Sequence, residues 1–411
     1  MTEEQARVPK LRFPSFTDAW EQRKLSEVSE RVRGNDGRMD LPTLTISAGS
    51  GWLDQCERFS GNIAGKEQKK YTLLKKGQLS YNHGNSKLAK FGAVFELRTY
   101  EEALVPHVYH SFQTNELAIA DFIEYLFDTK RPDKELGKLV SSGARMDGLL
   151  NINFDDFTGI KFLLPSVEEQ KKIARLLRDV DDLIAVHRRK LSHLDLLKKG
   201  LLQEMFPKQG EAYPEIRFPG FTDDWEQRKL GDLLEERNSQ RSQSNSYPLV
   251  SFTVENGVTP KTDRYQREQL VRGDKAAKKY KVTYLDDIVY NPANLKFGAI
   301  SRNAYGRAVF SPIYVTFRVK DKQTVPRFIE GYVKRDDFIK YSLRFQQGTV
   351  YERQSVSPDS FLGLPIPLPS IDEQRQIGAF FASLDDLIAL HQRKLTHLQQ
   401  QKKALLQQMF V

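Results

Sequence analysis

The chain has 411 residues, with 63 Lys and Arg against 54 Asp and Glu for a formal charge of +9, and its 39% hydrophobic and 11% aromatic content can fill real cores, which excludes global disorder. The single Cys56 excludes an intramolecular disulfide framework and a cysteine-based zinc cluster. There is no apolar run of about 18 residues and no apolar signal core at the polar N-terminus, so the expectation is a soluble, cytoplasmic protein of roughly two to four domains with no membrane partner. A pI near 9.2 favours an anionic partner, with nucleic acid first.

In chain order, an N-terminal segment (1–25) carries RFPSFTDAWEQRKL at residues 12–25, and this returns as RFPGFTDDWEQRKL at 217–230, differing at two of 14 positions. A second pair, LPSVEEQ…LLQEMF (164–206) and LPSIDEQ…LLQQMF (368–410), is identical at 24 of 43 positions. The chain is therefore one unit written twice. The intervening segments, 26–160 and 231–364, have diverged but keep echoes: YTLLKKGQLSYN (71–82) with YKVTYLDDIVYN (280–291), and a gapless 43–59 with 249–265 that shares Gly51 with Gly257 and Arg58 with Arg264. Both are expected to be the same α+β globule carrying different surfaces. Short β-rich runs fall at Ile46–Ser47, Leu79–Tyr81, Ile288–Tyr290 and Ile313–Val319, and helical patches at Leu117 to Phe127 and Arg327 to Phe345.

The regions 161–206 and 365–411 each open on Ser followed three residues later by Glu (Ser166 and Glu169, Ser370 and Glu373), the pattern of a capping box. Steps of four and three then visit Ile173, Leu177, Val180, Ile184, His187, Leu191, Leu194 and Lys198 in the first copy, and Ile377, Phe381, Leu384, Ile388, His391, Leu395, Leu398 and Lys402 in the second. This is a heptad seam. Residues 168–206 would span about 58 Å at about 1.5 Å per residue. The expected architecture is two α+β globules related by a pseudo-twofold axis and held apart by two long helices that form an antiparallel coiled coil. Parallel pairing stays open at this level. His187 and His391 set register on the seam, or form a pH switch or metal site; Lys198 and Lys402 snorkel. Residues 207–230, rich in Pro and Gly at their start, form a linker that leads into the repeated block.

Two loop pairs are candidate DNA contacts. One follows the shared Tyr-Asn: Tyr81, Asn82, Asn85 and Lys87 in the first copy, and Tyr290, Asn291, Asn294 and Lys296 in the second. The other holds Ser142 and Arg145, and Thr349, Tyr351 and Arg353. Asn can pair with an adenine edge and Lys with guanine or phosphate. Each Tyr-Asn can equally start a turn closed by an Asx hydrogen bond. Charge divides unevenly: residues 34–163 carry 16 basic and 17 acidic groups, whereas 239–364 carry 21 and 12. No metal or catalytic constellation can be singled out; His107 and His110 lack the partners of a metal site.

The duplicated RFPxFTDxWEQRKL and LPS[VI][ED]EQ–helix blocks, flanking divergent segments, resemble the specificity subunit of type I restriction-modification enzymes. The resemblance covers nearly the whole chain. It implies two target recognition domains (26–160 and 231–364), each reading one half of a bipartite double-stranded DNA target through the major groove. It implies no catalytic site and no cofactor on this chain. S-adenosylmethionine would reside on two methyltransferase subunits docked on the helices, and ATP and magnesium on the restriction subunits. One departure is Gln78, which stands where the second copy has Asp287; both are expected in a turn. A free-standing two-headed DNA-binding regulator, an orphan specificity protein, or a protein scaffold built on the coiled coil are the competing readings.

Overall fold

A computed structural model describes residues 7–56, 65–140, 149–208, 210–260, 278–348 and 354–411. The chain divides into two compact units, Met1–Arg188 with Lys394–Val411, and Arg189–Arg393. Each long helix is shared: Val167–Glu204 begins in the first unit and ends in the second, and Ile371–Gln408 does the reverse.

The first unit is built on a four-stranded antiparallel sheet in the order Ser29–Arg31, His110–Thr114, Leu79–Asn82, Ala93–Glu96. Leu79 and Tyr81 alternate with Ser80, and all three are buried, so the central strand is covered on both faces. One face meets helix Ala120–Asp128, helix Phe154–Gly159 and the start of the long helix in a core with Trp20, Phe112, Phe122, Phe157 and Leu177. A smaller core of Leu44, Ile46, Leu74, Ala103 and Val105 belongs to the ladders Leu44–Ser47 with Gly51–Asp54 and Thr72–Lys75 with Glu102–Val105.

The second unit repeats this plan. Its sheet runs Leu234–Glu236, Val315–Val319, Ile288–Tyr290, Ile300–Arg302, and its flanking ladders are Val250–Thr253 with Gly257–Pro260 and Tyr280–Thr283 with Ala308–Phe310. The patch expected as one helix at 327–345 is two, Pro326–Val333 and Asp336–Ser342, broken where Lys334 caps the first and Arg335 opens the second in extended backbone.

The repeated sequence blocks are explained by what they grip. Ser166 Oγ accepts from Glu169 N at 3.4 Å, which is half of the expected capping box. The Glu169 carboxylate does not turn back to the cap. It takes a bidentate pair from Arg12, Nε to Oε1 at 2.8 Å and Nη2 to Oε2 at 2.7 Å, and the second unit repeats this with Arg217 and Glu373 at 2.7 and 2.8 Å. A forked guanidinium outcompetes one backbone N–H for a buried carboxylate. The following glutamine is equally engaged. Gln170 donates to Leu117 O and Pro165 O and accepts from Ile119 N; Gln374 does the same with Gln323 O, Pro369 O and Val325 N. Each Glu-Gln dipeptide thus ties the long helix both to the repeated block of its own unit and to the loop that opens a variable-segment helix.

The helix ends close the cores. In the first unit Trp20 packs edge-on against Phe122 and Phe410; in the second Trp225 packs against Phe206 and Phe328. Within the first unit, Ile173, Ala174 and Leu177 share a core with Leu406, Met409 and Phe410, while Asp181, further along, meets Lys402, further back, at 2.9 Å. Within the second, Ile377 and Phe381 share a core with Met205 and Phe206, and Asp385 meets Lys198. Opposite progress along the two helices is antiparallel pairing, found in each unit separately. Ile173, Leu177, Ile184, Ile377 and Phe381 are buried, and His187, Leu191, Ile388, His391 and Leu395 are half-buried on the seam. The seam lysines are held by aspartates rather than left to snorkel. At Lys402 burial opposes the charge, but Asp128 and Asp181 together outweigh it and raise the pKa.

Candidate nucleic-acid interface

In each unit a hairpin tip and the loop after the Tyr-Asn pair are neighbours. The hairpin of the first unit turns between Ser47 and Gly51, and that of the second between Thr253 and Gly257. Gly51 (φ +73°) and Gly257 (φ +60°) supply the left-handed backbone that closes each turn. In the first unit the hairpin residues Ser47, Ala48 and Gly49 and the loop residues Asn82, Gly84, Asn85, Lys87 and Leu88 line one open groove of about 440 Å³.

The structure separates the candidate residues into framework and tip. Tyr81 and Tyr290 are 0% exposed and are not available to DNA. Tyr81 stacks on Phe157 at 4.3 Å and donates to Phe91 O; Tyr290 stacks on Phe361 at 4.9 Å and donates to Val356 O. Burial first, then nearby carboxylates, drives both phenol pKa values upward. Asn82 and Asn291 are turn residues as well: Asn82 Oδ1 accepts from Gly84 N at 3.0 Å and Asn291 Oδ1 from Ala293 N at 3.2 Å. Asn82 Nδ2 also donates to Ile46 O, tying the loop to the hairpin. Tyr81 and Tyr290, expected at the DNA, instead fix the loop, because each ring faces the aromatic core; Asn82 and Asn291 are half-buried turn residues whose Oδ1 is taken by backbone N–H groups.

Asn85, Lys87, Asn294 and Lys296 are exposed on the loops. Ser142, Arg145, Thr349, Tyr351 and Arg353 lie outside the described residues, as do Arg58 and Arg264. The loops also pair differently from a residue-by-residue reading. Gly92 (φ +86°) and Gly298 (φ +79°) hold the same place at the loop end, and Lys90 over Phe91 (5.3 Å) matches Lys296 over Phe297 (5.0 Å). The counterpart of Lys296 is therefore Lys90, not Lys87, and the first loop carries three additional residues between Asn82 and Ala93 compared with Asn291 and Ala299. The repeated Lys-Phe-Gly-Ala at 90–93 and 296–299 is the sequence signal for this register.

Sequence reasoning also missed two exposed apolar side chains, Leu88 (71%) and Phe297 (64%), on these loops. A Cβ on Gly49 would lie 3.1 Å from Leu88 Cδ1, so the hairpin tip touches the loop tip; in the second unit the Gly298 site lies beside Val254 of the hairpin. Behind the first loop, His83 and His110 stack at 4.9 Å. His83 presents its ring nitrogens to Leu150 O and Val108 O, and His110 faces Ile152 O. Burial, helped by His83 and Arg31 against the Ile152 contact, pulls the His110 pKa down to about 4.

Gln78 and Asp287 do lie in turns, accepting from Lys75 N and Tyr284 N respectively. Asp287 is also the buried partner of Arg237 at 2.9 and 3.0 Å. Val32 replaces that arginine in the first unit, its N–H bonded to Ser111 O as Arg237's is to Thr316 O, so loss of the cation accompanies loss of the carboxylate. Among the described residues no His, Cys, Asp or Glu cluster suits a metal ion, and no helix is long and apolar enough to cross a membrane.

Comparison with known proteins places this geometry. The model of the type I restriction modification DNA specificity domain matches twice, at residues 18–196 and 222–400. The specificity subunit of the type I restriction enzyme MjaVIII of Methanocaldococcus jannaschii is 24% identical over 315 residues, covering 69% of this chain and 68% of that protein. The crystal structure of the type I restriction-modification S subunit from M. genitalium superposes with a TM-score of 0.63 over 98% of this chain and 99% of that one, at 12% identity, a likeness of fold. With two copies of that domain spanning most of its length, the chain belongs to the type I restriction-modification DNA specificity family.

Proposed function

We propose that this chain is the sequence-reading subunit of a type I restriction-modification complex, with each unit reading one half of a bipartite double-stranded DNA target. The observation that carries the reading is one frame bearing two different tips. Sheets, clamps and hairpin turns correspond between the units, whereas the exposed Asn85, Lys87 and Leu88 of one loop and Asn294, Lys296 and Phe297 of the other form different tips on loops of unequal length. Recognition of two unlike sequences needs that combination: constant geometry to position, variable side chains to specify. On this reading the chain performs no chemistry in the cytoplasm where it works. Two methyltransferase subunits supply S-adenosylmethionine chemistry, and restriction subunits supply ATP- and magnesium-dependent translocation and cleavage.

The test is single-molecule methylome sequencing of a host expressing the whole system, before and after residues 231–364 are exchanged for the equivalent segment of another family member. A bipartite motif in which one half changes is the expected result. A motif that stays the same, or changes in both halves, refutes it.

A further inference from the structure

The second unit carries a cluster of arginine and tyrosine side chains at the root of its hairpin, the end of the ladder away from the turn between Thr253 and Gly257. Tyr247, just before strand Val250–Thr253, and Tyr284, just after strand Tyr280–Thr283, place their hydroxyls 3.0 Å apart. Three guanidiniums lie over these rings: Arg241 and Arg307 over Tyr247 at 5.0 and 5.2 Å, and Arg237 over Tyr284 at 4.6 Å. Arg237 is neutralised by Asp287. Arg241 and Arg307 are exposed and have no carboxylate within ion-pair distance among the described residues. Exposed arginines usually disperse, because like charges repel and the side chains lose entropy when held. Here two of them share one ring face system, where the π electrons offset part of that repulsion.

The same corner of the first unit is built differently. Its Lys75 and Glu102 face each other across the ladder, and Thr283 with Ala308 is the pair that precedes Tyr284 and Arg307 in the second unit. Glu102 there is tied to Arg38 at 2.6 Å, and Arg38 to Asp36. A closed, self-neutralised network in one copy is an open, doubly cationic one in the other. Two unpaired guanidiniums beside a phenol match the needs of a phosphodiester: planar forks for the anionic oxygens and an O–H donor between them. The hydrogen bond with Tyr284 lowers the Tyr247 pKa most; burial opposes it, and the Arg241 and Arg307 charges add to the lowering. Two hydroxyls that share one hydrogen bond leave one O–H of the pair free to donate outward.

We infer that Tyr247, Arg241 and Arg307 form a backbone-phosphate anchor for duplex DNA, present in the second unit only and independent of base sequence. This rests on the proposed DNA-reading function and adds to it a site that holds without reading. The test uses the full-length chain with its co-purifying subunits, a cognate duplex and a scrambled duplex of equal length, and a salt titration of binding. For Arg241→Gln with Arg307→Gln, the slope of log affinity against log salt should fall by about 2, since each lost phosphate contact removes about 0.9. Affinity near 0.1 M salt should drop about ten-fold or more on both duplexes alike, with the methylated motif unchanged. Arg307→Lys should retain most of the slope. An unchanged slope overturns the anchor, as does a loss confined to the cognate duplex, which would make these residues base readers. Loss of co-purifying subunits also overturns it, by making the cluster a protein contact. If the unaltered protein binds cognate and scrambled duplexes equally, it is the proposed function that fails, not the anchor.

Discussion

His110→Val is a substitution whose effect can be worked out from both units. His110 lies opposite Tyr81 in the first sheet, and Val315 lies opposite Tyr290 in the second, so valine is already the solution to the same position. Burial lowers the His110 pKa to about 4 from its ordinary value near 6.5. The unfolded chain therefore binds a proton that the folded one refuses between about pH 6.5 and pH 4. Stability must rise with pH through that window and level off above it. From about pH 7.5 to about pH 5 this single group removes about 2 kcal/mol from the first unit, and nearly 3 kcal/mol by about pH 4. Other groups titrate in the same range; Glu96 and Glu124, both raised by burial, act in the opposite sense, so the comparison of variant with unaltered protein isolates the histidine. Hydrogen exchange read by mass spectrometry separates the units by sequence. Acid should deprotect strands 79–82 and 110–114 before their counterparts 288–290 and 315–319, and the valine variant should lose most of that difference. The same acid sensitivity in the variant would refute the argument. So would a uniform stability loss at every pH, which would mean that the contact with Ile152 O outweighs burial.

Arg12→Met leaves the buried carboxylate of Glu169 without its fork and should destabilise the first unit by about 3–5 kcal/mol, with Glu169→Gln in the same chain restoring most of it. A loss below about 1 kcal/mol in thermal unfolding, or no rescue, would show that the pair is not what joins the two repeated blocks. Leu88 and Phe297 are expected to meet thymine methyl groups, so replacing single thymines by deoxyuridine in a cognate duplex should weaken binding by about 0.8 kcal/mol for each methyl that is contacted. Leu88→Ala should abolish that sensitivity in one half of the target and Phe297→Ala in the other; sensitivity that survives both variants counts against the assignment.

The order of repeated blocks and the heptad seam could be read from sequence because each depends on local spacing. Steps of three and four find the buried side of a helix whatever it packs against, and Gly51 and Gly257 mark turns through their own backbone needs. The roles of Tyr81 and Tyr290 could not be read in this way. Their fate is decided by Phe157 and Phe361, about 70 residues downstream, whose rings turn a plausible contact residue into core. The glutamate of the expected capping box was misassigned for the same reason: its true partner, Arg12, lies 157 positions away. The loop register was hidden by length, since three additional residues displace Lys90 from the position that Lys296 suggests.

This division bears on how such a chain can change specificity without losing its fold. Tyr81 and Asn82, Tyr290 and Asn291, and Gly92 and Gly298 consume their own polar groups and backbone freedom in holding the two ends of each loop. At Gly92 the constraint is absolute, because a Cβ would stand 2.5 Å from both Asn82 O and the Tyr81 ring. Between those ends the first unit accommodates three more residues than the second, and Leu88 and Phe297 project from different positions. An exposed loop of this kind pays little for added length, about 0.6 kcal/mol per doubling. Selection can therefore act on the tip through side-chain identity and length together while the cores go on excluding the frame from change. The two units of one chain are two outcomes of that process, and the turn of the hairpin beside each loop, closed by Gly51 or Gly257, is the second surface on which it can operate.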